Sequence, residues 1–359
     1  MAENHATQLE LYKGFIQRKK QIFIISLIAT LVIALFAVSY GSLNIPVSEI
    51  INTILGKGET RSQTVIMSIR LPRVTAAILV GAALAVSGAV MQCVLQNPLA
   101  SASTLGVSQG AAFGAALGII VFGGGVVQSS SAATAVTINN PYIVTLCAFV
   151  FGSLSTLVVI VLSQFKKDLG PAGLILAGVA LSSLFAGSST LLQYFADETK
   201  ISSVVFWTFG NLGSAGWKEL FILFLGFSLS LLYFLMNRWN YNAMESGMDT
   251  AKSLGVNTRT VMIISMAICS LTTAIAVSFV GIISFVGLIA PHIMRRFIGN
   301  DYRFLIPCSA SAGALLLILA DTFARLIIAP VILPIGAITS FLGAPMFLYL
   351  LFRGLQNNG

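Results

Sequence analysis

Residues 74–165 contain no Asp, Glu, Lys or Arg. A soluble domain covers its surface with about 25% charged residues, so an uncharged stretch this long has to lie in lipid. The whole sequence agrees, since 57% of its 359 residues are hydrophobic and 9% are charged. Length alone would allow two or three soluble domains, and this composition excludes them.

The charge that remains is placed informatively. Twenty basic and 12 acidic residues give a net charge of +8, an excess that suits either nucleic acid or a membrane surface. Nearly all of it falls in short loops between apolar runs, which favours membrane topology, and no nucleic-acid partner is expected. Cys93, Cys147, Cys269 and Cys308 lie scattered in or beside apolar runs, without the close pairing of metal or redox motifs. They read as packing residues.

A helix needs about 20 apolar residues to cross the hydrocarbon core, because its backbone polar groups must be satisfied within the segment. On that scale the sequence predicts an all-α polytopic membrane protein with ten spans: 22–40, 74–95, 99–122, 142–165, 172–196, 220–236, 260–280, 282–294, 304–329 and 335–352. Residues 260–294 would measure about 52 Å as one helix, too long for a single crossing, so they are split near Gly281. The expected organisation is a tail over 1–21, one transmembrane domain over 22–353 and a tail over 354–359. Lys13, Arg18, Lys19 and Lys20 superficially resemble the start of a secretory signal. The length of the following run, and the lack of a small-residue cleavage site after it, favour a retained span.

Lys and Arg gather in cytoplasmic loops. With the amino end inside, the inner side receives thirteen of them, including Lys166, Lys167, Arg259, Arg295 and Arg303, and the outer side seven, including Lys57, Arg61 and Lys200. Both termini are then cytoplasmic, and five spans per half would make any internal repeat an inverted one.

Several features suggest mechanism. Gly106, Gly110, Gly114 and Gly118 recur every fourth residue and predict a side-chain-free stripe for helix packing. Residues 237–259 form the longest inner polar stretch, reading as two short helices with Met248, Ala251 and Leu254 at helical spacing and Gly255 as a stop. Such a ridge would dock against something, although an ordinary solvated loop fits as well. Asp321 and Arg325 stand one helical turn apart, acid before base. They are either a structural pair or part of an outer surface with Arg70 and Arg73, whose guanidinium forks match carboxylates on an acidic partner. His292 and His5 have no second ligand at metal spacing. No phosphate loop, serine elbow or zinc-protease signature is present.

Longer motifs carry a resemblance. Arg70-Leu-Pro-Arg-Val74, Val80-Gly-Ala-Ala-Leu-Ala-Val-Ser-Gly-Ala-Val-Met-Gln92, Gln96-Asn-Pro-Leu-Ala100 and Leu105-Gly-Val-Ser-Gln-Gly-Ala111 are followed by Gly281-Ile-Ile-Ser-Phe-Val-Gly-Leu-Ile-Ala-Pro-His292, Ala320-Asp-Thr-Phe-Ala-Arg325, Leu333-Pro-Ile-Gly336 and Gly343-Ala-Pro345. Over residues 65–353 the chain resembles the FecCD and BtuC-like permeases, the membrane subunits of type II ABC importers for ferric siderophores, haem or cobalamin. The resemblance implies ten spans, a pore shared with a second identical or similar permease subunit, cytosolic ABC ATPase subunits that use ATP and Mg, and an extracytoplasmic substrate-binding protein. It implies no cofactor on this chain, no catalytic residue, and a bacterial or archaeal cytoplasmic membrane location. Arg70, Arg73 and Arg325 would receive acidic residues of the binding protein. Gly247, Ala251, Leu254 and Gly255 would belong to the coupling loop, about 240–258, that enters the ATPase. Gly170, Pro171, Ala172 and Gly173 would form the cytoplasmic gate. The chain departs from the family after Asn97-Pro98, where Ser101, Ala102 and Ser103 replace an acidic residue and a second proline, and the gate turn lacks small hydroxyl residues.

Two other classes compete. A secondary transporter or channel would want ionisable groups along its path, and Asp321 is the one acid within a predicted span. An intramembrane enzyme using His292 or Asp321 would need a second catalytic group brought in by the fold.

Overall fold

Small residues after Arg73 let one helix become the hub of the molecule. The computed structural model describes residues 2–41, 45–58, 60–127, 136–138, 140–165, 170–329 and 331–356. In chain order α1 (Ala2–Ser39), α2 (Val47–Ile54) and α3 (Thr60–Val65) lead through a π-turn, Ile66–Arg70, into α4 (Leu71–Val94). Then come α5 (Val107–Ile120), a hairpin of β1 (Gly125–Val127) and β2 (Val136–Ile138), α6 (Pro141–Phe165) and α7 (Pro171–Tyr194). The second half comprises α8 (Glu198–Thr208), α9 (Trp217–Met236), α10 (Arg238–Glu245), α11 (Met248–Ser253), α12 (Thr258–Val280), α13 (Val286–Ile298), α14 (Tyr302–Leu326) and α15 (Ile335–Gln356).

Among the described residues seven helices are long and apolar enough to cross a membrane, and α5 and α15 carry shorter apolar stretches. Over an 18-residue apolar window, the span at Ser62–Val94 is 83% buried within the protein, whereas α7 and α9 are each 22% buried. The centre therefore packs on protein and the periphery faces lipid or a neighbouring subunit. At the α4–α13 crossing, Gly88 and Gly287 meet so closely that a methyl on Gly88 would strike the Gly287 carbonyl. The α4–α14 crossing is made the same way by Gly81 and Gly313. Small residues at crossings are how helices gain van der Waals contact where lipid removes the hydrophobic drive.

Three expectations need correction. The first helix does not begin at residue 22 but runs from Ala2, so the basic tail is helical. The third span is 14 residues long, not the run over 99–122. Gly106 adopts the left-handed conformation (φ 87°), and the stretch before it is a turn and a short 3-10 segment, Ser103–Leu105. Only Gly110, Gly114 and Gly118 thus lie on a helix, each against the α6 backbone at Phe151, Cys147 and Val144, while Gly106 is its left-handed start. The expected break near Gly281 is present with φ 78°, but α13 begins at Val286. The helices α2, α3 and α8 and the hairpin were not anticipated. Lys166 and Lys167, counted among the inner charges, lie outside the described residues.

Candidate functional site

Two polar clusters occupy opposite ends of the helix body. At the first, the ends of α1, α4 and α14 converge on Asp321, which is 1% exposed. Arg73 places Nε 2.9 Å and Nη2 2.8 Å from Asp321 Oδ1, and Arg325 donates from Nε to Oδ2 at 3.0 Å. Arg325 Nη2 also donates to the Ala37 carbonyl at 3.1 Å, and Arg70 Nη1 donates to the carbonyls of Val38 at 2.7 Å and Ser39 at 2.9 Å. These carbonyls belong to the last turn of α1, where intrahelical partners run out. The three arginines the sequence singled out thus come together, with Arg70 and Arg73 buried. They clamp α1, α4 and α14 to one another. Beside them a cavity of about 590 Å³ is lined by Arg73, Asn211, Glu219, Phe206, Trp207 and Pro334.

A second cavity, about 310 Å³, lies where helices are interrupted inside the body. It is lined by Ser101, Thr104, Thr273 and Ser284 with Phe285 and Leu84. Thr273 is 2% exposed and its hydroxyl has no hydrogen-bond partner among the described residues. Non-helical backbone at membrane depth is tolerated where it is enclosed by protein or lines a cavity, and both interrupted segments meet that condition.

At the opposite end α10 and α11 form two short helices as the sequence predicted. Gly247 (φ 116°) and Gly255 (φ 84°) turn the chain before and after α11. Ala251 is fully buried and Met248 packs on the same core cluster, so of the expected ridge Leu254 alone stands out, 69% exposed. The residues expected to form the gate lie at the start of α7: Gly170 is its extended cap, Pro171 occupies the first turn, and Gly173 N–H donates to Gly170 O at 2.9 Å.

Residues 28–353 match the model of the FecCD transport family. The chain belongs to the FecCD transport family. A Methanocaldococcus jannaschii protein assigned as an ABC transporter permease is 52% identical over 342 residues, 95% of this chain and 97% of the relative. The iron(3+)-hydroxamate import system permease FhuB of Bacillus subtilis is 37% identical over 322 residues, covering 89% of this chain and 80% of the relative. Among solved structures, a metal-chelate-type ABC transporter in an inward-facing conformation matches with a TM-score of 0.78 at 30% identity, over 93% of this chain and 99% of that one.

Within this FecCD chain, sequence reasoning overlooked a polar network joining α10 to the α13–α14 turn. Glu245, Asn242, Gln92, Arg295, Asp301 and Tyr302 build it. Asp301 carries a further signal. Burial would raise its pKa, but hydrogen bonds from Arg303 and Asn242 outweigh burial and bring it down to about 2. Asp301 also lies 3.6 Å from Lys19 of α1. The four cysteines are free thiols, Cys93, Cys269 and Cys308 being buried, as packing residues are.

Proposed function

We propose that the chain is a permease subunit of a type II ABC importer that carries an iron chelate, with ferric siderophore as its cargo. The observation that carries this is the match, across nearly the whole of both chains, to a metal-chelate-type ABC transporter, seconded by a hydroxamate-import relative. The chain is not itself an ATPase: separate cytosolic subunits use ATP and Mg, and this chain binds no cofactor.

In this reading the Asp321 end faces outward and the α10–α11 end faces the cytoplasm, with both termini inside a bacterial or archaeal cytoplasmic membrane. The excess of inner Lys and Arg supports that orientation. Arg73 and Arg325 share one carboxylate while Arg70 caps the end of α1, and the field of the three at the outer face would guide an acidic binding protein into register. Leu254 is the part of the coupling loop offered to the ATPase, with Gly247 and Gly255 turning the chain on either side and buried Ala251 anchoring it to the body. Gly170, Pro171, Ala172 and Gly173, at the head of α7, gate the inner mouth. The poorly buried α7 supports a second permease subunit against that face.

The test is reconstitution in vesicles with the ATPase and binding protein. ATP-dependent uptake of radiolabelled ferric hydroxamate is expected, with haem and cobalamin as competing cargoes. Uptake that persists without ATP while a membrane potential is held would overturn the reading in favour of a secondary transporter.

A further inference from the structure

The coupling loop is tied to the membrane body unevenly. Toward the α13–α14 turn, Glu245 Oε1 accepts from Asn300 Nδ2 at 2.7 Å and Glu245 Oε2 accepts from the Tyr302 hydroxyl at 3.3 Å. Asn242 Oδ1 accepts from Tyr302 N–H at 2.7 Å, and Asn242 Nδ2 donates to Asp301 Oδ1 at 3.2 Å. Arg295, in the last turn of α13, donates from Nη2 to the Tyr302 hydroxyl at 3.0 Å and from Nη1 to Gln92 Oε1. Toward α12, whose chain continues directly from the loop, two side-chain bonds are found among the described residues, both between neutral groups: the Tyr241 hydroxyl meets Ser265 Oγ at 2.8 Å, and Asn257 Oδ1 accepts from Thr260 N–H at 3.1 Å as the helix cap. Tyr302 is fully buried, with its ring 5.7 Å from that of Tyr241.

From this grip α13 runs 13 residues, about 20 Å, back into the body. Its other end is unusual. Phe285, its cap, has φ 64°, a conformation that a bulky residue holds only under local constraint. The Phe285 ring packs on Phe347 of α15 with centroids 6.5 Å apart and lines the 310 Å³ cavity beside Ser101, Thr104, Thr273 and Ser284. Gly287 follows, in backbone contact with Leu84 and Gly88 of α4. The helix therefore has a charged, hydrogen-bonded handle at the loop end and a strained aromatic tip at a cavity lined in part by hydroxyls.

We propose that the stroke of the coupling loop enters the membrane through α13, by way of a Glu245–Tyr302–Arg295 clasp, and acts at Phe285 on the cavity and on α15. Tyr302 and Glu245 are positioning residues that fix which helix moves with the loop. The proposal rests on the reading of the chain as an ABC permease. Its physical ground is that linked, charge-assisted bonds are stronger and reinforce one another, where isolated neutral bonds do not.

The experiment uses the complete complex of permease, ATPase and binding protein in vesicles, and reads uptake and ATP hydrolysis together. Tyr302→Phe keeps the ring and removes the hydroxyl at the centre of the clasp. Tyr241→Phe makes the same chemical change on the neighbouring ring, at the tie to α12, in a side chain too deeply buried to touch the ATPase. Expected is a fall of about tenfold in uptake per ATP for Tyr302→Phe, the factor that losing a hydrogen bond to charged groups gives, with ATP hydrolysis within about twofold of wild type. Tyr241→Phe should leave the ratio within about twofold. Glu245→Ala, which opens the clasp from its partly exposed side without altering the core, should repeat the Tyr302→Phe result and stands in if that variant does not fold. An unchanged ratio in Glu245→Ala, or an equal fall in Tyr241→Phe, would overturn the proposal. Absence of ATP-dependent uptake by the wild-type complex would instead overturn the permease reading on which it rests.

Discussion

Arg73 and Asp321 are 248 residues apart in the chain and in contact in the fold, with Nη2 2.8 Å from Oδ1. The same carboxylate holds Arg325, so a single acid is shared by two cations at the meeting point of three helices. Asp321→Asn keeps the shape and removes the charge, leaving two buried guanidiniums without a counterion. Removing one partner of a buried pair costs about 3 to 5 kcal/mol, so a clearly lowered thermal midpoint is expected for the purified permease in detergent. A midpoint equal to wild type would show that the clamp contributes nothing.

The Gly88–Gly287 contact makes a second prediction. Gly88→Val forces α4 away from α13, and overpacking of this kind costs typically about 1 to 3 kcal/mol. The same substitution at Gly187, where nothing lies within 4 Å, should leave the midpoint of the isolated subunit unchanged. Equal effects at the two sites would contradict the packing account.

Leu254 supplies a third. Being 69% exposed, it can be changed to Asp without disturbing the core. Leu254→Asp is expected to preserve the subunit's thermal midpoint while abolishing co-purification of the ATPase. Retention of the ATPase at wild-type stoichiometry would remove Leu254 from that interface.

The fourth concerns pH. Asp301 has its pKa lowered from the ordinary 3.8 to about 2, so its charged form is stabilised by the fold. Its contribution is complete above the ordinary value and disappears as pH falls from 3.8 through about 2. Asp301→Asn should therefore be less stable than wild type at neutral pH, and the two melting curves should converge across that acid window. A gap that stays constant down to pH 2 would place the effect elsewhere.

Much of this fold was legible because lipid imposes one rule, roughly twenty apolar residues per crossing. The starts of α6, α7 and α12 follow from it, as does the break at Gly281. The rule fails where an apolar run is not helical: the residues before Gly106 are as lipid-compatible as a span, and only the positive φ of Gly106 reveals the turn. It also passes over α8, whose 11 residues are too few to cross. Within the sites, Asp321 with Arg325 was readable from its i, i+4 spacing. Arg73 was chosen for its charge, yet its partner could not be named, because contact across 248 residues leaves no local pattern. The Glu245–Tyr302–Arg295 clasp was hidden for the same reason, with Arg295 reading only as one more inner-side cation.

The partnership of Arg73 with Asp321 also sets a schedule. At about 5 to 20 residues per second, the ribosome needs on the order of ten to fifty seconds to make the intervening chain. For that interval α4 waits in the bilayer with its cation unmatched, held near the headgroups by the reach of the arginine side chain. Arg73 itself sets the depth of nascent α4 until α14 arrives with the counter-charge.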